Sequence, residues 1–125
     1  MLSVGAAPRI WLCTQPTDMR KSFDGLIAAT RHVLERNPVS GDLYLFVNRK
    51  ATMVKGVYWT RGGFCLWAKR LERGRFAPLT GVQASAGLTD TQLMMWLDGI
   101  ELSNMRQRRR FELPANQVAS GIMRA

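Results

Sequence analysis

MVKGVYWTRGGFCLWAKRLERGRF, residues 53–76, is the stretch on which the fold turns. Two apolar runs flank Gly62-Gly63, and this arrangement predicts a β-hairpin. Phe64, Trp67, Ala68 and Leu71 also fit a helical stripe that Gly74 would cap. The tight glycine turn favours a strand over 64–71, paired with a strand over 53–59. If Trp59 faces Phe64, then Val57 faces Leu66, Lys55 faces Ala68 and Met53 faces Arg70. Gly56 then lies opposite Trp67, so a large ring covers a strand glycine. The same stretch carries Lys55, Arg61, Lys69, Arg70, Arg73 and Arg75 against a single carboxylate, Glu72.

Immediately upstream, DLYLFVN (42–48) predicts another strand, joined through an Arg49-Lys50-Ala51-Thr52 turn. Asn48 should face Met53, Phe46 should face Lys55 and Tyr44 should face Val57. Alternation puts Leu43, Leu45, Val47, Val54, Tyr58, Cys65, Trp67 and Leu71 on one face of the sheet. That mostly apolar face is expected to receive the first helix. Tyr44, Phe46, Asn48, Lys55, Trp59, Phe64, Leu66 and Arg70 share the other. Rings mixed with cations suit a base-stacking platform. A covering C-terminal helix suits the same face, and is preferred because bare patches of that size are rare on monomers.

Further upstream, IWLCT (10–14) predicts a first strand that Pro16 breaks. Thr17 is a candidate N-cap. Met19, Phe23, Leu26, Ile27, Thr30, Val33 and Leu34 then form an amphipathic helical stripe, ended by Asn37-Pro38. Gly25 in mid-helix costs about 1 kcal/mol against alanine, so something is expected to pack closely there. Arg20 and Lys21 fall in the first turn, where they would strengthen an anion site at free N–H groups. Alternatively Arg20 pairs with Asp24 at i, i+4, and this simpler reading needs no ligand.

Downstream, 75–79 suggests a short edge strand closed by Pro78, and TGVQASAG (80–87) a small-residue linker. Thr89 and Gln92 make a capping box, followed by a Leu93, Trp96, Leu97, Ile100 stripe that stops near Gly99. Arg106, Arg108, Arg109 and Arg110 then form a basic cluster. The fold expected is α+β: a small antiparallel β-meander packed by an N-terminal amphipathic helix, with a second short helix near the C-terminus. Residues 1–8 are expected to be disordered, 9–102 to form a single domain, and 103–125 to be a basic flexible tail.

At 125 residues the chain is long enough to bury one core. No run approaches the ~20 apolar residues that span a bilayer, and the first residues do not resemble a secretory signal. Cys13 and Cys65 lack metal spacing and suit reduced thiols in a cytoplasmic protein. The net charge of +9 favours a polyanionic partner through phosphate neutralisation and counterion release.

Catalytic chemistry has little to draw on. There are nine carboxylates, of which Asp18, Asp24 and Glu72 come nearest to a metal set, and each is explained as well by a helix dipole or an arginine neighbour. His32 has no partner in sequence for acid–base work. No phosphate loop, zinc spacing or nucleophile elbow occurs, so no cofactor or metal is expected.

Asp18-Met19-Arg20-Lys21-Ser22-Phe23-Asp24-Gly25-Leu26 resembles the DMRKGFDGL signature of the accessory, second-reading-frame proteins (TnpB) of IS66-type bacterial insertion sequences. The resemblance continues through Gly41 to Asn48-Arg49-Lys50, Val54-Lys55, Tyr58-Trp59, Gly63-Phe64 and 69–76, and 88–99 is similar to the family's closing helix. It covers about 9–100 and leaves out the arginine-rich tail. It implies a helper that acts beside a separate, larger transposase and is unrelated to the RNA-guided nucleases that share its name. Three positions depart from the pattern: Ser22 and Ala51 stand where glycine is usual, and Gly56 where an aliphatic residue is usual.

The expected function is a non-enzymatic accessory factor for DNA transposition that contacts DNA, the transposase, or both. Lys55, Arg61, Lys69, Arg70, Arg73 and Arg75 are the expected phosphate contacts, with Arg20 and Lys21 beside them and Trp59 as a stacking surface. One alternative is a module that recruits the transposase without touching DNA. Another, less favoured, is a metal-dependent nuclease. Self-association as a homo-oligomer is left open.

Overall fold

The computed structural model describes residues 8–77 and 87–99. Its elements run β1 (Ile10–Leu12), α1 (Phe23–His32), β2 (Leu43–Val47), β3 (Met53–Thr60), β4 (Gly63–Arg70) and α2 (Asp90–Leu97). The four strands form one sheet in the order β1-β2-β3-β4. β2, β3 and β4 make the expected antiparallel meander, while β1 joins β2 in parallel. The arrangement is α+β. Among the described residues no helix is long and apolar enough to cross a membrane. The expected tail over 103–125, the linker over 80–86 and most of the N-terminal stretch lie outside the described residues.

The expected register holds in both hairpins. Trp59 pairs with Phe64, Gly56 with Trp67 and Met53 with Arg70, and Tyr44 pairs with Val57 and Phe46 with Lys55. Residues 64–70 are thus strand, as the glycine turn suggested. The turn itself is Arg61-Gly62, with φ of 48° and 84°. Positive φ at both central residues is the type I′ geometry that matches strand twist, and Gly63 already pairs with Thr60.

The β2–β3 turn is organised by Asn48. Its Oδ1 accepts from the Thr52 and Met53 amides at 2.9 and 3.0 Å, and its Nδ2 donates to Thr52 Oγ1. Ala51 sits there at φ 56°. An L side chain in this region costs about 1–2 kcal/mol, which accounts for the glycine usual at this position. Gly56 departs in the opposite sense. A Cβ there would lie 2.8 Å from Leu45 Cδ2 and 3.1 Å from Leu43 Cδ1, so those side chains and the Trp67 ring occupy its space.

Helix α1 is shorter than the stripe predicts. The expected N-cap, Thr17, instead donates its amide to Val47 O at 2.8 Å, extending the edge of β2. Asp18 then folds a turn: its Oδ1 accepts from the Arg20 amide at 2.9 Å, and its carbonyl accepts from the Lys21 amide. This side-chain turn competes with the helix and wins. The helix begins at Phe23 after Ser22 and ends at His32, short of Asn37-Pro38. Met19 and Leu34 still pack on the same core from outside the helix. In α2 the Thr89–Gln92 capping box forms in both directions. Of the edge strand expected over 75–79, residues 75–77 form none, and 78–79 lie outside the described residues.

The faces take the opposite helices from those expected. Helix α1 covers the ring-bearing face, where Leu26 joins Trp11, Tyr44, Phe46 and Val57 in a buried cluster. Trp96 and Leu97 of α2 cover the other, with Leu45, Val54, Phe76 and Leu88. Tyr44 and Phe46 are therefore buried, by α1 and not by the C-terminal helix. The cause is the parallel β1–β2 pairing. A crossover between parallel neighbours takes one hand almost without exception, and so delivers its helix to one face.

Candidate nucleic-acid interface

Three chain segments meet at the end of the sheet where β2 and β4 finish and β3 begins. The first is the β2–β3 turn, which exposes Arg49 and Lys50. The second is a strap over 71–77. Leu71 donates its amide to Thr52 O at 2.8 Å and Phe76 donates to Ala51 O at 2.7 Å, so the strap wraps that turn. Gly74, at φ 81°, lets it bend. Its far end is held by Trp96, whose ring stacks on Phe76 at 4.5 Å and whose Nε1 donates to Ala77 O at 3.0 Å. Arg73 and Arg75 remain exposed on the strap, beside Arg70 at the end of β4.

The third segment is the Asp18 turn. Lys55 reaches it from β3: its ammonium donates to Met19 O at 2.8 Å and Lys21 O at 2.9 Å. The aliphatic stem of Lys21 lies over Gly25, where an added Cβ would come within 3.0 Å of Lys21 Cβ. This is the close packing that a mid-helix glycine suggested. Arg20 is gripped by Asp18 through Nε and Nη2, the shortest bond being 2.6 Å. That grip, led by the arginine side-chain hydrogen bond, pulls the Asp18 carboxyl down to about 2. The expected Arg20–Asp24 pair is replaced by this one.

The signature stretch and the Val54-Lys55 pair, far apart in sequence, thus become one device. The Asp18 turn aims two carbonyls, and Lys55 occupies both. Lys55 has a structural task at the site, and two of its three donors are committed to it.

Arg20, Lys21, Lys69, Arg70, Arg73 and Arg75 are brought to one end of the sheet. Arg61 is not. It marks the hairpin tip, roughly 25 Å along β3 at the usual rise per residue. Trp59 also stands toward the tip, half-buried, edge-on to Phe64 at 4.9 Å between ring centroids. Arg49 and Lys50 were missed as site residues because they were read only as turn formers. The signal lay in the Asn48-Arg49-Lys50 motif, where two cations crown a loop.

Among the described residues, the carboxylates at this end that form ion pairs are Asp18 and Glu72. Asp18 is held by Arg20, and Glu72 accepts from Arg70 Nε at 3.1 Å. Both pairs are exposed, so water screens them and the surrounding cations still dominate the local potential. Elsewhere, Asp42 accepts from the Arg9 amide and from Trp11 Nε1, fastening β1 beside β2. Among the described residues no three His, Cys, Asp or Glu side chains gather as a metal set.

The fold and its charged end define a class: a small α+β domain that concentrates cations where three backbone segments converge. The chain belongs to the IS66 Orf2-like family, whose model (TnpB_IS66) matches residues 8–107. It is thereby tied to the accessory proteins of bacterial insertion sequences. It is similar to the uncharacterized protein y4hO of Sinorhizobium fredii (strain NBRC 101917 / NGR234), 38% identical over 102 residues, spanning 81% of this chain and 88% of that relative. It is also similar to the uncharacterized protein y4jC of the same organism, 33% identical over 76 residues, 61% of this chain and 65% of the relative. No solved structure matches it.

Proposed function

We propose that this accessory protein acts in transposition without catalysis of its own, by gripping the DNA backbone with the basic end of its sheet. Arg49, Lys50, Arg70, Arg73 and Arg75 form the centre of the grip, with Arg20, Lys21 and Lys69 around it. The observation that carries the reading is the strap: two backbone hydrogen bonds to the β2–β3 turn hold arginines from 70–75 beside Arg49 and Lys50. Like charges are not brought together for stability, since they repel. A polyanion compensates them, and the gain comes from released counterions. Exposed arginine and lysine side chains of this kind contact phosphates and carry no base code, so affinity should be largely indifferent to sequence.

Titration of labelled element-end DNA against salt, read by anisotropy, tests this. If each exposed cation at this end meets one phosphate, log K should fall against log salt with a slope approaching about −6. Absence of binding at low salt would refute DNA contact. Co-elution with the element's transposase under those same conditions would then favour a recruiting module in its place.

A further inference from the structure

β4 ends the sheet among the described residues, with no strand beyond it. Its backbone direction follows from the register. Thr60 and Gly63 flank a two-residue turn and exchange hydrogen bonds, so every second pair after them does too. Gly63, Cys65, Trp67 and Lys69 therefore spend their amides and carbonyls on β3. Phe64, Leu66, Ala68 and Arg70 turn theirs outward. An open row of this kind over an eight-residue strand is a template for another strand.

The side chains along the row are mostly uncharged. Trp67, at mid-strand, is 37% exposed, a large ring left partly in water on the face of the sheet that α2 covers farther in. The protections common on edge strands are weak here: there is no proline, and both cations sit at one end.

We propose that the outer edge of β4 pairs with β4 of a second copy of this chain, antiparallel, about a two-fold axis at Trp67. The register is determined. Side chains opposite each other must share a face, which restricts the pairing to residues of equal parity. Centring on Trp67 sets Phe64 against the partner's Arg70 and Leu66 against the partner's Ala68. Every outward amide and carbonyl is then used. Centring on Leu66 instead leaves Arg70 of both copies without a partner. At Trp67 the two rings meet at a non-hydrogen-bonded position, where Cα atoms come closest and side chains touch.

Charge permits this pairing. Arg70 lands opposite an aromatic ring and Lys69 opposite Cys65. The two Lys69 residues are offset by about 13 Å along the strands, beyond a Debye length of about 8 Å at physiological salt. A parallel pairing would set cation beside cation and would not close. The dimer is an eight-stranded sheet with a basic end at each of two opposite corners.

Light scattering on the eluting full chain should give twice the 14.1 kDa mass of one chain. Ala68→Pro removes only an outward amide, and proline is tolerated on an edge with its N–H side to solvent. It should give a monomer with an unchanged far-ultraviolet circular dichroism spectrum. Independently, Trp67→Cys in a Cys65→Ser background should cross-link under mild oxidation, because a Cα separation of about 4.5 Å suits a disulfide. Arg61→Cys in the same background should not. A monomer at the highest soluble concentration would overturn the proposal, as would a dimer that survives Ala68→Pro with its fold intact. Cross-linking no faster at position 67 than at 61 would also overturn it, and this decides the matter if the proline variant fails to fold.

Discussion

Among the described residues, both ends of the sheet expose cations, a single one at one end and several at the other, and they differ in what holds them. At the tip of the β3–β4 hairpin, Arg61 rides a two-residue turn whose geometry is local: two positive φ angles and a Thr60–Gly63 pair. At the other end, the cations ride three segments tied by bonds of long sequence separation. Lys55 reaches Met19 and Lys21, Thr17 reaches Val47, and Phe76 reaches Ala51. A lone cation on a turn is ordinary surface. Cations whose backbones are fastened to one another form a surface that keeps its shape, and binding to a stiff polyanion rewards that preorganisation.

The comparison breaks most completely if the fastening is removed at its root. Trp96→Ala deletes the ring stacked on Phe76 and the indole bond to Ala77 O. It should cost about 3–5 kcal/mol by denaturant unfolding, as for other buried aromatic truncations. The strap amides of Leu71 and Phe76 should lose hydrogen-exchange protection first.

A narrower break is Lys55→Met, which keeps the stem and removes the ammonium. Met19 O and Lys21 O then lose a charged donor, at a cost of about 1–2 kcal/mol for so partly exposed a pair of bonds. Amide exchange should quicken through 19–22 while the Arg61 turn is unchanged.

DNA affinity sharpens the same contrast without touching stability. Replacing both Arg49 and Lys50 by alanine should lower the magnitude of the salt slope by about 2, while Arg61→Ala should leave it within error. Equal effects at the two ends would mean that the tip contributes as much as the fastened end.

The smallest effect concerns acid. Asp18 is lowered from 3.8 to about 2 by its hydrogen bonds to Arg20. A depressed carboxyl contributes stability above its unfolded pKa and loses it as pH falls through the folded one. The clamp should therefore persist through mild acid and fail only between about pH 4 and pH 2. The nuclear magnetic resonance titration of the Asp18 carboxyl would show this midpoint directly, and Asp18→Asn should remove that portion of the pH dependence.

Much of this molecule was legible in its sequence. Two short turns determined both hairpin registers residue by residue, because the length of a hairpin loop sets which residues stand opposite each other, and alternation then sorted the side chains of those strands onto two faces. Thr89 and Gln92 announced the start of α2 for an equally local reason. Gly56 announced the Trp67 ring across from it, and Gly25 announced close packing that proved to be Lys21.

Tertiary structure decided the rest. Both faces of β2 are apolar, Leu43 and Leu45 on one and Tyr44 and Phe46 on the other, so alternation could separate them without saying which helix each receives. That choice follows from β1 pairing in parallel, a long-range event with no local mark. Likewise, Lys55 reads in sequence as a free cation facing DNA. Only folding brings it within 2.9 Å of two carbonyls across more than thirty residues, because a backbone acceptor leaves no signature in the side-chain code.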